Sequence, residues 1–477
     1  MTDVDVAVVG AGPAGLAAAA RCAALGLATT LFDEQAAPGG QIHRGVEARV
    51  AQHPNAIDAD DARGRALVAA FRASGAAYVP SCSVWSARAL PDAAVELGIA
   101  VRAAATPSIR LVSARAAILA PGAQERPFPI PGWTLPGVMT AGAAQIALKS
   151  AALVPQGRVV MAGCGPLLWL AAAQLLDAGA TIDAVLDTTP RGRLRAALVH
   201  APAFVTSPYF RRGLELARSV RRRTRVVEFI TALAAQGGVR VDAVRFATRD
   251  GAEALPVDHL LLHQGVVPAS ELAGAAGCAL EWDDLHASFV PIVDAWGGTT
   301  VPALFVAGDG AGIAGATAAA LHGELAALAV ANAQGRIDGR MRDRAAAPLR
   351  RALADAARGR RFFDTLYRPA DVFRIPAGDT IACRCEEVTA AAIAAAAVAG
   401  CTGPNQAKAF LRCGMGPCQG RLCALTVTEV IAQSRGVAPA DVGTFRPRPP
   451  VKPLTLGELA TLPVTPAAEA AVVRAPH

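Results

Sequence analysis

The sequence contains no apolar run of the roughly 20 residues needed to cross a bilayer. Its longest apolar stretch, residues 159–173, is interrupted by Gly163, Gly165 and Pro166, and therefore predicts a strand, a turn and a helix. No basic segment followed by an apolar core precedes the first predicted strand, so no secretory signal is predicted. These absences predict a cytoplasmic protein without a transmembrane segment, with peripheral attachment to the inner face of the membrane as an alternative.

Aromatic residues are scarce, at 5% of the chain. The net charge of +7 comes from scattered arginines, and the densest basic run, residues 221–225, contains no aromatic residue of the kind that stacks on nucleic-acid bases. Such a run is typical of a solvated face, with a docking surface for an acidic partner as the alternative. We therefore expect no nucleic-acid partner.

A Cys-x-x-Cys motif is also missing, which argues strongly against a dithiol mechanism of the thioredoxin reductase type. Ten cysteines are nevertheless present. Without a secretory signal they indicate a reducing compartment, in which some thiols serve as metal ligands rather than as parts of a disulfide scaffold.

A βαβ unit is predicted at the start of the chain. The pattern indicates a buried strand at Val4–Val9, a turn over residues 10–15, a helix over residues 16–25 and a strand at Thr29–Phe32. A second, similar unit is predicted near residues 158–186. Two such units in one chain predict an α/β fold with two dinucleotide-binding, Rossmann-like domains.

The first turn has the spacing of a dinucleotide fingerprint. Gly10 permits the tight turn, Gly12 lets a diphosphate approach the backbone, and Gly15 lets the helix pack on the strand. The diphosphate then meets unpaired N–H groups at the helix start. Asp33 lies 23 residues after Gly10, where a carboxylate can bind ribose hydroxyls, and Glu34 is the alternate. The predicted binding residues of this loop are Gly10, Gly12, Pro13, Ala14 and Gly15.

A second, distant element favours FAD over NAD. Residues 300–309 end in Gly308 and Asp309 and resemble the second FAD fingerprint of two-dinucleotide-domain flavoproteins, in which the Asp binds the ribityl chain. A plain helix N-cap is the alternative for Asp309. Residues 38–42 and 120–123 resemble two further loops of this group and add the candidates Gly40, Gln41, Ala120 and Gly122. Pro121 removes one backbone N–H from the second of these loops.

The second glycine loop keeps Gly163 and Gly165 but has Leu168 at the third position, and Asp187 closes the next strand. Leucine holds the helix farther from the strand, so the anion pocket is expected to be looser. Three interpretations stay open: a working NAD(P) site, a site for another nucleotide, and a relic of the fold. Cys164 is interpreted as a small packing residue.

Four cysteines near the end of the chain have the spacing of a [2Fe-2S] site. Four thiolates are the usual ligands of such a cluster, and Gly414 and Gly416 let backbone amides turn toward the sulfurs. Helix starts are expected after the second and fourth cysteines. The alternative is a structural zinc site on the same residues. Cys401 and Cys423 are interpreted as buried small residues, Cys423 being the reserve ligand. The predicted ligands are Cys383, Cys385, Cys413 and Cys418.

The order of these motifs resembles the α (large) subunits of heteromeric amine and imino-acid dehydrogenases, a family that includes the large subunits of opine oxidase, hydrogen cyanide synthase and D-hydroxyproline dehydrogenase. The resemblance rests on residues 38–42, 124–127, 131–138, 383–389, 413–423 and 450–453. It implies a C-terminal domain similar to bacterioferritin-associated ferredoxin. It also implies a partner flavoprotein β subunit that oxidises the amine, often together with a small ferredoxin-like subunit.

The predicted domains follow from these motifs. The FAD-binding domain comprises residues 1–150 and 290–345, and the second dinucleotide-type domain residues 151–289. A linker covers residues 346–377, the [2Fe-2S] domain residues 378–435 and a Pro-rich tail residues 436–477.

The leading prediction is an FAD and [2Fe-2S] subunit of an amine or imino-acid dehydrogenase. The alternatives are a self-standing NAD(P)H oxidoreductase and a redox or iron sensor. No catalytic residue is predicted, because the two histidines near flavin motifs, His43 and His322, are interpreted as structural.

Overall fold

A computed structural model describes residues 4–52, 59–91, 93–103 and 108–462. Its first sheet has five parallel strands, extended on one edge by an antiparallel pair. The strands are Val4–Val9, Thr29–Phe32, Ala77–Val79, Cys82–Ala89, Val95–Val101, Ser108–Leu119 and Leu304–Val306. The parallel strands read as near-continuous apolar runs because helices cover them.

Alanine-rich helices lie against this sheet. Helix Pro13–Ala24 packs on helix Ala316–Ala333, and the fit is tight because a Cβ on Gly323 would lie 2.0 Å from the carbonyl oxygen of Ala14. The other helices of this half are Val46–Gln52, Ala59–Ala73 and Gly339–Ala357.

The second sheet has five parallel strands, in the spatial order Arg225–Glu228, Ile182–Asp187, Val159–Cys164, His259–Gln264 and Val138–Thr140. A three-stranded antiparallel sheet, Ala232–Gln236, Ala243–Ala247 and Ala252–Pro256, shares a hydrophobic core with it. The helices of this half are Ala141–Ala151, Pro166–Asp177, Arg191–Ala197, Ala201–Val205 and Pro208–Arg223. Strands Ala123–Glu125 and Val266–Pro268 pair where the chain crosses between the halves.

The rest of the described chain is built from short elements. Helix Glu271–Ala275 and the hairpin Leu280–Asp283 with Ser288–Pro291 precede the return to the first sheet, and helices Arg360–Leu366 and Asp371–Arg374 follow it. The cysteine-rich segment has its own buried core. It contains strands Ile381–Cys383 and Val388–Thr389, helices Ala390–Val398, Pro404–Leu411 and Ala424–Arg435, and two short helices, Pro439–Val442 and Leu456–Leu459.

Most predicted elements are present, with shifted ends. Helix Pro13–Ala24 starts three residues earlier than predicted, because Pro13 suits a first helical position, where no N–H partner is needed. One expectation was wrong: no helix starts directly after Cys385, since a turn and strand Val388–Thr389 come first. In the described ranges no helix is long and apolar enough to span a membrane. The end of the predicted Pro-rich tail, from residue 463, lies outside those ranges.

Candidate functional site

The first glycine loop has the geometry of a diphosphate cradle. Gly10 has φ +101°, and a Cβ there would lie 2.3 Å from the carbonyl oxygen of Ala120. A Cβ on Gly15 would lie 1.8 Å from the carbonyl oxygen of Gly10, so helix and strand could not approach as they do. Gly12 is the N-cap of helix Pro13–Ala24 and leaves the first N–H groups of the helix facing the cavity described below.

Asp33 closes strand Thr29–Phe32 and is bonded to the loop. Its carboxylate accepts hydrogen bonds from the backbone N–H of Ala11, at 2.5 Å, and of Gln35, at 2.7 Å. Burial raises the pKa of this carboxyl, and the two backbone bonds oppose that shift. Its neighbour Glu34 is more exposed and forms an ion pair with Lys452 at 2.8 Å.

The other predicted flavin loops meet at the same place. A Cβ on Gly40 would lie 2.7 Å from the Cα of Gly12, so residues 38–41 lie directly against the glycine loop. On the far side, one carboxylate oxygen of Asp309 accepts hydrogen bonds from the N–H groups of Ala314 and Gly315, at 2.8 Å each. Asp309 thus orders the turn before helix Ala316–Ala333, whose N-cap is Gly315.

These loops enclose one cavity of about 510 Å³. All thirteen residues predicted from the flavin motifs contribute to it except Gly15 and Gly308, which lie behind its wall. Residues that the sequence did not single out as ligands also line it: Gln124, Gln145, Lys149, Glu271, Arg421 and Lys452.

The second glycine loop is packed by protein groups. His263, 2% exposed, binds Glu125 at 2.6 Å, and a Cβ on Gly165 would lie 3.6 Å from its ring. The carbonyl of Tyr367 lies 3.5 Å from the sulfur of Cys164, so the segment after helix Arg360–Leu366 covers this loop.

Asp187, at the end of the following strand, is engaged by its own loop. Its carboxylate accepts hydrogen bonds from the backbone N–H and the hydroxyl of Thr189, at 2.9 and 2.6 Å. A cavity of about 680 Å³ lies next to it, lined by Thr188, Arg191, Arg225 and Phe229 among others. Gly163, Gly165 and Asp187 themselves do not line that cavity.

The cysteine-rich segment brings five thiols together rather than four. The sulfurs of Cys383, Cys413 and Cys423 lie within 4.8 Å of one another. The Cys423 thiol also contacts Cys418, which in turn contacts Cys385. We call these five residues the thiol group. The interpretation of Cys423 as a spare residue does not match its central position in that group.

Backbone amides and turns hold these sulfurs. The N–H of Gly414 points at the sulfur of Cys383, as the sequence predicted, and those of Gly420 and Leu422 point at Cys418. The thiols of Cys413 and Cys423 lower the pKa of Cys383, and the Cys423 thiol is the largest cause of a lowered pKa at Cys418.

The site is closed differently on its two sides. A Cβ on Gly416 would lie 2.3 Å from the Cβ of Cys385, so only glycine fits there. Cys385 is exposed, whereas Cys383, Cys413 and Cys423 are buried. Cys401 is buried elsewhere in the segment and bonds to the carbonyl of Gly403. Thiolates at this spacing are a donor set that suits an iron–sulfur cluster or zinc.

A buried carboxyl connects the thiols with the first cavity. Gln124 donates from its side-chain amide to the carboxylate of Glu271 and to the carbonyl of Arg421, at 3.1 Å each. Arg421 also donates from Nε to the carbonyl of Cys418 at 3.0 Å. Burial is the largest cause of a raised pKa at Glu271, and the nearby cations Arg421 and Lys452 oppose the shift.

The two histidines near flavin motifs have packed surroundings. His43 is 2% exposed and its ring lies where a Cβ on Gly64 would clash, at 2.6 Å. Burial lowers the pKa of both His43 and His322. Their interpretation as structural residues stays a prediction that agrees with this packing.

Family comparisons support the same assignment from two directions. Residues 4–335 match the pyridine nucleotide-disulphide oxidoreductase family, and residues 380–462 match the sarcosine oxidase A3 domain. In fold, the chain is similar to L-proline dehydrogenase from P. horikoshii, with a TM-score of 0.68, 18% identity, and coverage of 96% of this chain and 79% of that one. The predicted α/β, Rossmann-type flavoprotein fold is thereby confirmed.

Curated relatives are similar along nearly the whole chain. The A subunit of opine oxidase from Agrobacterium tumefaciens (strain Ach5) is 47% identical over 97% of this chain and 92% of its own length. Hydrogen cyanide synthase subunit HcnB of Pseudomonas protegens is 30% identical over 94% of this chain and 95% of its own length. Both are named as subunits of larger enzymes. The chain therefore belongs to the pyridine nucleotide-disulphide oxidoreductase family and, within it, to the FAD-dependent large subunits that include the A subunit of opine oxidase.

Proposed function

We propose that this chain is the FAD and [2Fe-2S] containing α subunit of a heteromeric dehydrogenase that oxidises an amine or imino acid of the opine, D-hydroxyproline or glycine type. The observation that carries the proposal is the thiol group, which is bonded through Arg421 and Gln124 to the wall of the dinucleotide cavity. The names of the relatives support the substrate class.

FAD is assigned to the cavity of about 510 Å³. The N–H groups at the start of helix Pro13–Ala24 bind its diphosphate, Asp33 and Glu34 lie at the ribose end, and Asp309 lies on the ribityl side. When bound, the flavin exchanges one or two electrons and so joins a two-electron oxidation to a one-electron carrier. The chain's own residues hold and orient it and exclude water.

The [2Fe-2S] cluster is assigned to the thiol group, with Cys423 as one ligand. Cys423 contacts three of the four cysteines predicted from spacing, whereas Cys385 contacts Cys418 alone among the thiols of the described segment. The other three ligands come from Cys383, Cys385, Cys413 and Cys418. The predicted domain division, with residues 378–435 as the ferredoxin-like domain, fits this assignment.

The amine-oxidising site is assigned to a partner flavoprotein β subunit in the cytoplasm, and a further partner is a small ferredoxin-like subunit. To test this, the chain is purified alone and with a candidate β subunit, and both are assayed with opines, D-hydroxyproline and glycine and a dye acceptor. We expect activity only in the complex. Full amine oxidation by the isolated chain would overturn the proposal.

A second candidate is an NAD(P)H-dependent oxidoreductase, and the cavity of about 680 Å³ beside Asp187, with Arg191 and Arg225 in its wall, favours a nucleotide there. Tyr367 and His263, which pack the glycine loop itself, argue for a nucleotide other than NAD(P) or for a relic. Anaerobic mixing with NADH or NADPH decides between them: bleaching of the flavin supports this candidate, and an unchanged flavin spectrum with both removes it.

A further inference from the structure

The C-terminal part of the chain forms one wall of the dinucleotide cavity. Arg421, Val451 and Lys452 line it together with the glycine loop and with Asp33 and Glu34. These three residues are separated by about 300 residues or more from the βαβ unit that the family fingerprint describes, and they come from a segment outside the matched region 4–335.

The segment around Lys452 is fixed to the first sheet on both sides. The N–H of Val451 donates to the carbonyl of Trp85 at 2.9 Å, and the Val451 side chain is 2% exposed within the core. Farther along, Arg102 forms an ion pair with Glu458 at 2.7 Å and donates to the carbonyl of Pro453. Residues 450–458, which we call the strap, therefore lie across the edge of the cavity.

Two cations are brought to the adenosine end by this arrangement. Lys452 Nζ lies 2.8 Å from Glu34, which follows the ribose-end carboxylate Asp33. Lys452 and Arg421 both act on the buried Glu271, so both lie near one part of the cavity wall. A bound FAD adds a diphosphate with about two negative charges, which the two cations can meet by charge-assisted hydrogen bonds.

We propose that Arg421 and Lys452 are FAD-binding residues for the adenosine-diphosphate half, and that the strap must lift before FAD can enter or leave. The proposal rests on the assignment of FAD to this cavity. Because Arg421 lies between two of the proposed cluster ligands, Cys418 and Cys423, it also makes FAD affinity depend on the fold of the thiol segment.

The test measures FAD release and affinity in the full chain. FAD is removed, the apoprotein is titrated with FAD by fluorescence quenching, and release is followed after dilution. We expect Lys452→Ala to raise the FAD Kd about tenfold, the loss of one charge-assisted bond, and Lys452→Arg to restore most of the affinity. Arg102→Ala, which lines no part of the cavity, should speed FAD release because it frees the strap.

Arg448→Ala, at an exposed position just before the strap, is the matched control and should bind FAD like the wild type. Circular dichroism checks that each variant is folded. A wild-type chain that binds no FAD would overturn the proposed function itself. A wild type that binds FAD, with Lys452→Ala and Arg102→Ala unchanged in Kd and release rate, would overturn only the role of the strap.

Discussion

The side-chain amide of Gln124 donates a hydrogen bond to the backbone carbonyl of Arg421 at 3.1 Å, across 297 residues of sequence. Gln124 belongs to the strand that crosses between the two sheets, and Arg421 belongs to the turn between two clustered cysteines. The same amide binds Glu271 in the wall of the flavin cavity. The flavin and thiol sites are therefore parts of one hydrogen-bonded structure.

Glu271→Gln should change how stability depends on pH. Because burial raises the pKa of Glu271, the folded chain holds this proton more tightly than the unfolded chain. Wild-type stability should fall as the pH rises above the ordinary glutamate pKa of about 4.3. The variant lacks this loss, so thermal unfolding should show it more stable than wild type at pH 8 and similar at pH 4. An unchanged difference across this range would contradict the assignment.

Gly15→Ala should abolish FAD binding. The added methyl would lie 1.8 Å from the carbonyl oxygen of Gly10, so the helix must move away from the loop that holds the diphosphate. The FAD content of the purified protein measures this. Gly339→Ala is the control, since nothing lies within 4 Å of a Cβ there, and it should retain the cofactor. Equal FAD content in the two variants would refute the proposed cradle.

Cys423→Ser should lose the iron–sulfur cluster, because this sulfur is central to the thiol group. Iron and acid-labile sulfide analysis, together with low-temperature EPR of the reduced protein, measures the loss. Cys401→Ser replaces another buried cysteine of the same segment and should keep the cluster. If Cys423→Ser keeps wild-type iron and an unaltered EPR signal, the four cysteines predicted from spacing are the ligands instead.

Glu429→Ala should destabilise the thiol segment. Glu429, on helix Ala424–Arg435, forms an ion pair with Arg374, and the two side chains are 2% and 6% exposed. Removing one partner leaves a buried charge uncompensated, which costs about 3–5 kcal/mol. Chemical unfolding should show that loss. Replacing Glu215, which is exposed in a surface pair, should cost little, and equal effects from both replacements would show that the buried pair carries no special stability.

Much of the first half could be predicted from the sequence because the βαβ signals are local. A strand, three spaced glycines and an acid 23 residues on act within one contiguous segment, and the structure has each where the pattern indicates. The second glycine loop shows the limit. Its pattern is equally local, but Tyr367, about 200 residues later, packs onto it, and no nearby residue signals that contact.

The thiol group and the strap could be predicted only in part for the same reason. Cysteine spacing indicated a metal site, but spacing does not tell which sulfurs converge, and so Cys423 was interpreted as a reserve ligand. Lys452 stood in a recognisable motif without any sign of its partner, Glu34, at the other end of the chain. Its role depends on the packing of residue Val451 against Trp85.

If one chain holds both FAD and a [2Fe-2S] cluster in electrical contact, anaerobic reductive titration of the purified protein shows it most directly. Absorbance and EPR are followed together, with iron, zinc and flavin measured on the same sample. We expect about one flavin and two irons per chain, both reduced reversibly and exchanging electrons with each other. A colourless protein that contains zinc and neither flavin nor iron would contradict this assignment.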